Sequence, residues 1–470
     1  MHDLFRSVLT ETLALWNVCG SVDTDDDSAV IRVGDGTVIW IEPAPAALPF
    51  RWNARWRTAG EPPGSARETR PRRCASFVGV LAAIRAALGI DRGAALRVAP
   101  AQPREVAQAH ATDETRQQNT TGAPAPDRGA RIPVTILTGF LGSGKTTLLR
   151  ELLRHPEMGR TAVVINEFGE IGLDHDLIET SDETTVALST GCLCCKVTSD
   201  LALTLRDLAT RRAAGDVPRF ERVVIETSGL ADPAPILHAL MVDPGLSEIY
   251  AVEDVITTVD ALTALTTLDR HPESVKQAAL ADTILLTKTD VAEAQGAAIL
   301  ERLRAMNPRA VLRPVVCGHI APSRLFAGHS RSHGDDAHAF RRHSPNEHDG
   351  HDHSSGIASF SLTRDESLHG ATLALFLSAL AENCGSDLLR MKGIVRLSEE
   401  PHRPAVIHGV QHVYSAPEWL DRWPSDDRTT RMVFIGRNVR EPWVRGLLEI
   451  LEREVIEAYE VAGRRRSELA

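Results

Sequence analysis

Residues 134–149 contain a pattern that binds phosphate groups. The apolar segment Val-Thr-Ile-Leu-Thr leads into Gly-Phe-Leu-Gly-Ser-Gly-Lys-Thr-Thr, and a helical pattern follows. This is G-x-x-x-x-G-K-[ST] in the strand, loop and helix context that the motif requires. The N–H groups of such a loop and of the following helix start point at phosphate oxygens. The predicted nucleotide-binding residues are therefore the consecutive Gly139, Phe140, Leu141, Gly142, Ser143, Gly144, Lys145, Thr146 and Thr147.

The catalytic residues are predicted at the end of this loop and at the end of a second strand. Lys145 is expected to reach the β- and γ-phosphates, and Thr146 to hold Mg²⁺ through its hydroxyl. Residues 222–229 read as an apolar strand that ends in an acid, two hydroxyls and a glycine. Glu226 is therefore predicted as the second Mg²⁺ ligand, and the N–H of Gly229 is expected near the γ-phosphate.

A base-reading loop is predicted at residues 285–290, Leu-Leu-Thr-Lys-Thr-Asp, at the end of another strand. The carboxylate of Asp290 can accept two hydrogen bonds, from the guanine N1–H and the exocyclic amino group. Adenine lacks that edge, so this residue favours GTP over ATP. The aliphatic stem of Lys288 is expected to cover the base, and Thr287 completes the predicted set.

Three cysteines within four residues, Cys192, Cys194 and Cys195, predict a metal site. Thiolates are soft ligands that suit Zn²⁺ or Cu(I). A fourth ligand is expected from water, a partner protein or Glu167, and an incomplete shell suits transfer of the metal. A structural zinc site and a redox pair are the alternatives for these thiols. Glu167 belongs to the acidic, glycine-containing segment 166–175, which stands where a P-loop enzyme carries its first switch.

A second set of metal-binding side chains lies in one polar segment that has too few apolar residues to fold alone. Its histidines are His329, His333, His338, His343, His348, His351 and His353. Neutral imidazoles bind Zn²⁺, Co²⁺ and Ni²⁺, so the segment is interpreted as a flexible metal collector. The alternative is a solvated linker of biased composition.

The elements that must position these residues alternate between strands and helices from residue 132 to residue 316, which predicts a doubly wound, mostly parallel α/β sheet. On either side lie a small N-terminal α+β module and a C-terminal α+β domain. The predicted boundaries are 1–98 for the module, 99–131 for a flexible linker, 132–328 for the P-loop domain, 329–355 for the histidine segment and 356–470 for the C-terminal domain.

The composition excludes several classes of protein. A formal net charge of −11 argues against general nucleic-acid binding, which needs a basic surface. The sequence contains no apolar run long enough to span a membrane and begins without the pattern of a signal peptide. Seven cysteines, three of them clustered, favour a reducing, cytoplasmic compartment over a disulfide framework.

In this order the motifs resemble those of the CobW-type P-loop GTPases, a group regarded as metallochaperones. The resemblance rests on residues 139–147, 166–170, 191–195, 226–229, 287–290, 390–393 and 409–412. It implies slow GTP hydrolysis that uses Mg²⁺. It also implies that the C-x-C-C thiols hold Zn²⁺ or Co²⁺ and that the protein delivers this metal to a client protein. Thr287 replaces the Asn usual at the first position of the base-reading motif, and residues 1–98 have no counterpart in the family pattern.

Other functions stay open on the sequence alone. The chain could be a P-loop ATPase or kinase acting on a small molecule, a metal-sequestering or sensing protein with a regulatory nucleotide site, or a redox switch built on the cysteines. The client and the physiological metal are not encoded in these motifs, and a homo-oligomer is one state that they leave open.

Overall fold

The computed structural model describes residues 2–25, 28–44, 51–62, 64, 71–90, 97–98, 131–166, 194–291, 296–326 and 357–468. The chain divides into two compact units. One comprises Met1–Arg97, Asp336–Val413 and Glu418–Ala470, and the other comprises Val98–Asp335 and Tyr414–Pro417. None of the described helices is both long and apolar enough to cross a membrane.

The N-terminal module is an antiparallel sheet with two helices. Its elements are α1 (His2–Leu15), β1 (Gly20–Asp25), β2 (Ser28–Val33), β3 (Val38–Pro43), β4 (Trp52–Arg57), β5 (Arg72–Cys74), α2 (Phe77–Leu88) and β6 (Arg97–Val98). The first five strands form a sheet in the order β1-β2-β3-β4-β5. β2 and β3 form a hairpin around residues 34–37, in which they pair antiparallel and Val30 lies opposite Trp40.

The second unit contains the predicted doubly wound sheet. Its elements are β7 (Ile132–Gly139), α3 (Lys145–Leu153), β8 (Thr161–Asn166), α4 (Cys194–Ala214), β9 (Arg222–Thr227), α5 (Ala234–Val242), α6 (Pro244–Ser247), β10 (Tyr250–Asp260), α7 (Ala264–Arg270), α8 (Pro272–Leu280), β11 (Thr283–Thr287), α9 (Gly296–Met306), β12 (Val311–Val315) and α10 (Pro322–Phe326). The strand order is β12-β11-β10-β7-β9-β8, and the pairs are parallel. Residues 167–193, between β8 and α4, lie outside the described residues.

The central strands are continuous apolar runs because helices cover both faces of a parallel sheet. All five residues of β11 are buried, as are all but one of the eight residues of β7. Pro314, which cannot donate to a neighbouring strand, lies in β12 at the edge of the sheet. In a parallel sheet the carboxyl ends of the strands share one edge, so Gly139, Thr227 and Thr287 end their strands on the same side.

The C-terminal domain is an antiparallel sheet with one long and one shorter helix. Its elements are β13 (Ile357–Arg364), α11 (Gly370–Cys384), β14 (Leu388–Val395), β15 (Ala405–Val410), β16 (Val413–Tyr414), β17 (Glu418–Trp419), β18 (Thr430–Arg437) and α12 (Glu441–Glu468). The strand order is β13-β18-β14-β15-β16-β6, and β17 pairs with β15. The middle of β18, residues 432–435, is an apolar and buried run.

The N-terminal module and the C-terminal helices belong to one compact unit and share a core. Trp443 of α12 is buried and donates from Nε1 to Thr12 Oγ1 of α1 over 3.0 Å. A Cβ at Gly446 would lie 2.5 Å from Val8 Cγ2, so the two helices are in close contact there. The predicted domain boundaries at residues 328 and 355 lie outside the described residues and stay predictions.

Candidate functional site

The phosphate loop lies between β7 and α3, at the carboxyl edge of the parallel sheet. Gly139, Gly142 and Gly144 have φ angles of 142°, 71° and 93°, which side chains other than glycine rarely adopt. A Cβ at Gly139 would also clash with the side chain and carbonyl of Thr258 on β10. Gly144 caps α3 without any side-chain hydrogen bond to the helix. The backbone amides at this helix start are therefore suited to an anion.

The ammonium group of Lys145 is buried against the loop that it follows. Its Nζ donates to the carbonyl of Gly139 over 2.9 Å and to that of Phe140 over 3.3 Å. These acceptors are neutral, so phosphate oxygens can replace them with stronger, charge-assisted hydrogen bonds. This arrangement suits the predicted contact with a triphosphate, and the catalytic role of Lys145 stays a prediction.

Thr146 and Glu226, predicted as the two Mg²⁺ ligands, lie side by side. Thr146 Oγ1 donates to Glu226 Oε1 over 3.0 Å. The parallel register of β7 and β9, which places Leu137 opposite Glu226, brings the carboxylate under the start of α3. A hydroxyl and a carboxylate are oxygen ligands of the type that Mg²⁺ binds beside substrate phosphates. The pair, which lies 80 positions apart in the chain, therefore fits this ion.

Gly229, the fourth predicted catalytic residue, lies directly against the phosphate loop. A Cβ built there would be 2.7 Å from the backbone nitrogen of Leu141, so a larger residue would displace the loop. The preceding strand end is tied to β7, because Thr227 Oγ1 donates to Thr138 Oγ1 over 2.8 Å. This backbone is thus close enough to the loop for the predicted γ-phosphate contact.

The predicted base-reading loop is hydrogen-bonded to the phosphate loop. Thr287 Oγ1 donates to the carbonyl of Ser143 over 2.8 Å. Lys288, with a φ of 57°, donates from Nζ to the carbonyl of Gly142 over 3.0 Å and to Asp260 Oδ2 over 2.7 Å. The Thr hydroxyl therefore braces the loop in the place of the usual Asn amide. The stacking of the Lys288 stem on a base stays a prediction.

Asp290 lies in the turn after β11 and is exposed. Its carboxylate is therefore accessible to a ligand such as a purine base. The choice of guanine over adenine remains a prediction from the chemistry of the carboxylate.

The predicted thiolate site falls on a part of the chain that is largely not described. Glu167 and Cys192 lie outside the described residues, as does the histidine segment. Cys194 and Cys195 are the first two residues of α4, and their side chains are not among those described. Elsewhere in the described ranges, no group of three or more His, Cys, Asp or Glu side chains is arranged to hold a metal ion.

Sequence reasoning missed three residues that shape this site. Thr258 Oγ1 lies 2.7 Å from Ser143 Oγ, Asp260 pairs with Lys288, and Gln277 contacts the backbone after β9. The first two belong to the polar end of β10, Thr-Thr-Val-Asp, which interrupts an apolar strand. The polar residues at the end of β10 and the single glutamine of α8 were the only sequence features that could have indicated these three residues.

Comparisons with known proteins agree with this geometry. The family profile described as "CobW/HypB/UreG, nucleotide-binding domain" matches residues 133–313, and "Cobalamin synthesis protein cobW C-terminal domain" matches residues 357–451. Residues 1–131 lie outside both matches.

Two curated relatives match along most of their length. The zinc chaperone YjiA of Escherichia coli (strain K12) is 35% identical over 314 residues, which cover 67% of this chain and 96% of the relative. The zinc chaperone CobW of Pseudomonas aeruginosa is 33% identical over 361 residues, which cover 66% of this chain and 88% of the relative. The crystal structure of Zn(II)-bound YjiA GTPase from E. coli aligns with a TM-score of 0.53 at 28% identity, covering 69% of this chain and 99% of that one.

Proposed function

The chain belongs to the CobW family of P-loop GTPases, and we propose that it is a zinc chaperone that uses GTP to control delivery of Zn²⁺ to a client protein. Two relatives that it resembles along most of their length are named zinc chaperones. The observation that carries the nucleotide half of the proposal is the hydrogen bond between Thr146 and Glu226. It joins the phosphate loop to the strand end where a γ-phosphate contact is expected.

Binding of GTP starts from the hydrogen bonds already present in the loop. Lys145 exchanges the carbonyls of Gly139 and Phe140 for phosphate oxygens, while the amides at the start of α3 face the β-phosphate. Thr146 and Glu226 would hold Mg²⁺, which would supply positive charge to the β- and γ-phosphates. Hydrolysis is expected to be slow unless a client supplies an arginine that stabilises the charge on the transferred phosphate.

Guanine specificity is assigned to Asp290. Its exposed carboxylate accepts from N1–H and the exocyclic amino group of guanine. The variant Asp290→Asn tests this, because an amide donates to the 2-oxo group of xanthine and loses one acceptor for guanine. GTP affinity is expected to fall and XTP affinity to rise; an unchanged GTP:XTP preference contradicts the assignment.

Zn²⁺ is the cargo in this proposal, with Cys192, Cys194, Cys195 and Glu167 as its ligands, and Co²⁺ is the alternative ion. Support for a coupling between cargo and nucleotide comes from the order of the elements. Asn166, which precedes Glu167, ends β8 opposite Thr227 of β9. Cys194 begins α4. The segment that carries the ligands therefore starts beside the strand end that leads to Gly229. A change at Gly229 on hydrolysis can bias the geometry of the thiolates.

The decisive experiment measures this coupling in both directions. A non-hydrolysable GTP analogue is titrated calorimetrically into protein with and without one equivalent of Zn²⁺, and Zn²⁺ is titrated against a chromogenic chelator with and without the analogue. Linkage requires the same factor in both titrations. Equal affinities in the presence and absence of the second ligand would reject a nucleotide-controlled chaperone.

A double variant separates the thiolate site from the nucleotide site. Cys194→Ser with Cys195→Ser is expected to lose tight Zn²⁺ binding and to keep basal GTP hydrolysis. The matched control is Cys19→Ser, which replaces an exposed cysteine of the N-terminal module. Retention of one tightly bound Zn²⁺ in the double variant would move the site to other ligands, such as the histidine segment.

A further inference from the structure

Gln277 of α8 is a buried polar side chain outside the predicted nucleotide machinery. It has no exposed surface. A buried primary amide is costly unless it is hydrogen-bonded, so its partners identify its role. The amide oxygen has no hydrogen-bond partner within the described ranges, and the two amide donors hold the side chain in place.

Both donors bind the same short piece of backbone. Gln277 Nε2 donates to the carbonyl of Gly229 over 3.2 Å and to that of Ala231 over 3.0 Å. The helix itself is anchored to the sheet, since Thr257 Oγ1 of β10 donates to the backbone carbonyl of Gln277 over 2.8 Å. The segment after β9 is therefore tied to a fixed point of the fold.

The neighbouring residue strengthens this connection. Lys276 Nζ lies 2.8 Å from Asp232 Oδ2, and Asp232 Oδ1 accepts from the backbone N–H of Ala234 over 3.0 Å. Two consecutive residues of α8 thus hold residues 229–232 through carbonyls and a carboxylate.

The other end of α8 contacts the phosphate loop. His271, which precedes the helix, packs its ring against Phe140 with 4.4 Å between the ring centroids. Between loop and helix lies a small pocket, partly open to solvent, whose lining includes Phe140, Leu141 and Gln277. Two hydrogen bonds and an ion pair from α8 therefore restrain residues 229–232 beside this pocket.

The need for this restraint follows from Gly229. The position must be glycine because a Cβ would collide with the backbone of Leu141. Glycine also has the most backbone freedom of any residue, so its N–H direction is not set locally. A hydrogen-bond donor contributes most to binding and catalysis when its direction is fixed in advance, because no free energy is then spent on orienting it.

We propose that Gln277 is a positioning residue that fixes the backbone of Gly229 and Ala231 and thereby sets the preference of the site for GTP over GDP. The inference rests on the proposed function in one respect, the contact of Gly229 N–H with the γ-phosphate. GDP lacks that phosphate, so its affinity does not depend on the orientation of Gly229.

The test compares the affinities of a non-hydrolysable GTP analogue and of GDP in the full-length protein. Gln277→Met removes both donors at similar volume, and Gln277→Glu places a carboxylate against the two carbonyls. Loss of the two hydrogen bonds is expected to weaken binding of the GTP analogue by about tenfold, which corresponds to about 1.4 kcal/mol. The affinity for GDP is expected to change by less than about twofold.

Asn307→Leu is the matched control for loss of a buried amide. Asn307 Nδ2 donates to the carbonyls of Ala278, Ala279 and Ala281 at the far end of α8. This variant is expected to lower the unfolding temperature and leave the GTP:GDP ratio unchanged. If Gln277→Met lowers the affinities for the GTP analogue and for GDP equally, or changes neither, the GTP:GDP ratio stays unchanged. That result overturns the proposal for Gln277 and leaves the proposed function intact. A parent protein that binds neither guanine nucleotide overturns the proposed function, and this inference with it.

Discussion

The phosphate loop and the contact between the N-terminal module and α12 both bury a charged side chain, and they satisfy it in different ways. Lys145 places its ammonium on two carbonyls of the loop, which are neutral and belong to a surface that a ligand can reach. Glu454 of α12 accepts from Trp52 Nε1 over 2.8 Å and from the backbone N–H of Phe77 over 2.9 Å. Phe77 is fully buried in the module, and Trp52 is half-buried and stacked on Phe5.

The difference distinguishes a ligand-binding site from a permanent contact. We call the contact between the N-terminal module and α12, around Glu454 and Trp443, the joint. Phosphate oxygens can replace the two carbonyls as acceptors for Lys145. The two donors to Glu454 belong to the N-terminal module itself and serve to hold α12 against it. Around Glu454, Phe5 stacks on Trp52 with 5.0 Å between ring centroids, and Arg51 pairs with Glu457. Changes in the joint should therefore affect the free energy of unfolding, and changes in the loop should affect nucleotide chemistry.

The largest effect is expected from Trp443→Ala in the joint. Trp443 is 1% exposed and hydrogen-bonded to Thr12. Its removal should lower the free energy of unfolding by about 3–5 kcal/mol, measured by denaturant titration. Tyr459→Ala on the same helix, where the side chain is 55% exposed, is the control and should cost much less. A similar loss in both variants would argue against a shared core.

Lys145→Ala tests the phosphate loop, the other region of the comparison, and should impair GTP hydrolysis. Loss of the ammonium should lower kcat/KM for GTP hydrolysis by about 100-fold or more, because a charge on the transferred phosphate goes uncompensated. Arg154→Ala, on an exposed residue after α3, is the control for a lost cation. Activity equal to that of the parent protein would remove Lys145 from the site.

Glu454→Gln tests whether the joint responds to pH. Burial raises the pKa of Glu454, against the opposing effects of its donors and of Arg51, and Glu457 adds to the increase. The folded state therefore binds the proton more tightly than the unfolded state. The free energy of unfolding should be highest below the ordinary carboxyl pKa and fall as the pH rises through the raised folded-state value.

The glutamine variant cannot titrate at this position, so its unfolding curves should lose that part of the pH dependence. It also replaces one acceptor by a donor, at a cost of about 1–2 kcal/mol at low pH. The measurement is chemical denaturation across the acidic to neutral range. An identical pH dependence in both proteins would show that the joint does not raise the pKa of this carboxyl group.

The smallest effect is expected from Thr287→Val in the loop. The valine keeps the shape of the side chain and removes the hydrogen bond to Ser143. We expect GTP affinity to fall by about fivefold, the equivalent of ~1 kcal/mol, with little change in unfolding. Thr287→Ser, which retains the hydroxyl, should bind like the parent protein. Equal affinities of the valine and serine variants would mean that the brace does not act on the loop.

Much of the candidate nucleotide site could be located from the sequence because its residues lie in short motifs at strand ends. The glycine loop, Lys145 and Thr146 form one motif, and the parallel sheet brings Glu226 to the same edge. The brace from Thr287 to Ser143 was not predictable, since the residue looks like a substitution in a base-reading motif. Its role depends on where β11 ends relative to the loop.

The amino-acid sequence alone determined the phosphate loop, the alternating strands and helices, and the family to which the chain belongs. These features are local, because strand, turn and helix preferences act over a few neighbouring residues. Only the tertiary structure decided that Gln277 holds Gly229 and that Glu454 accepts from Phe77, 377 residues away along the chain. Such partners are selected by packing and by the cost of burying an unsatisfied polar group, and no local pattern records either.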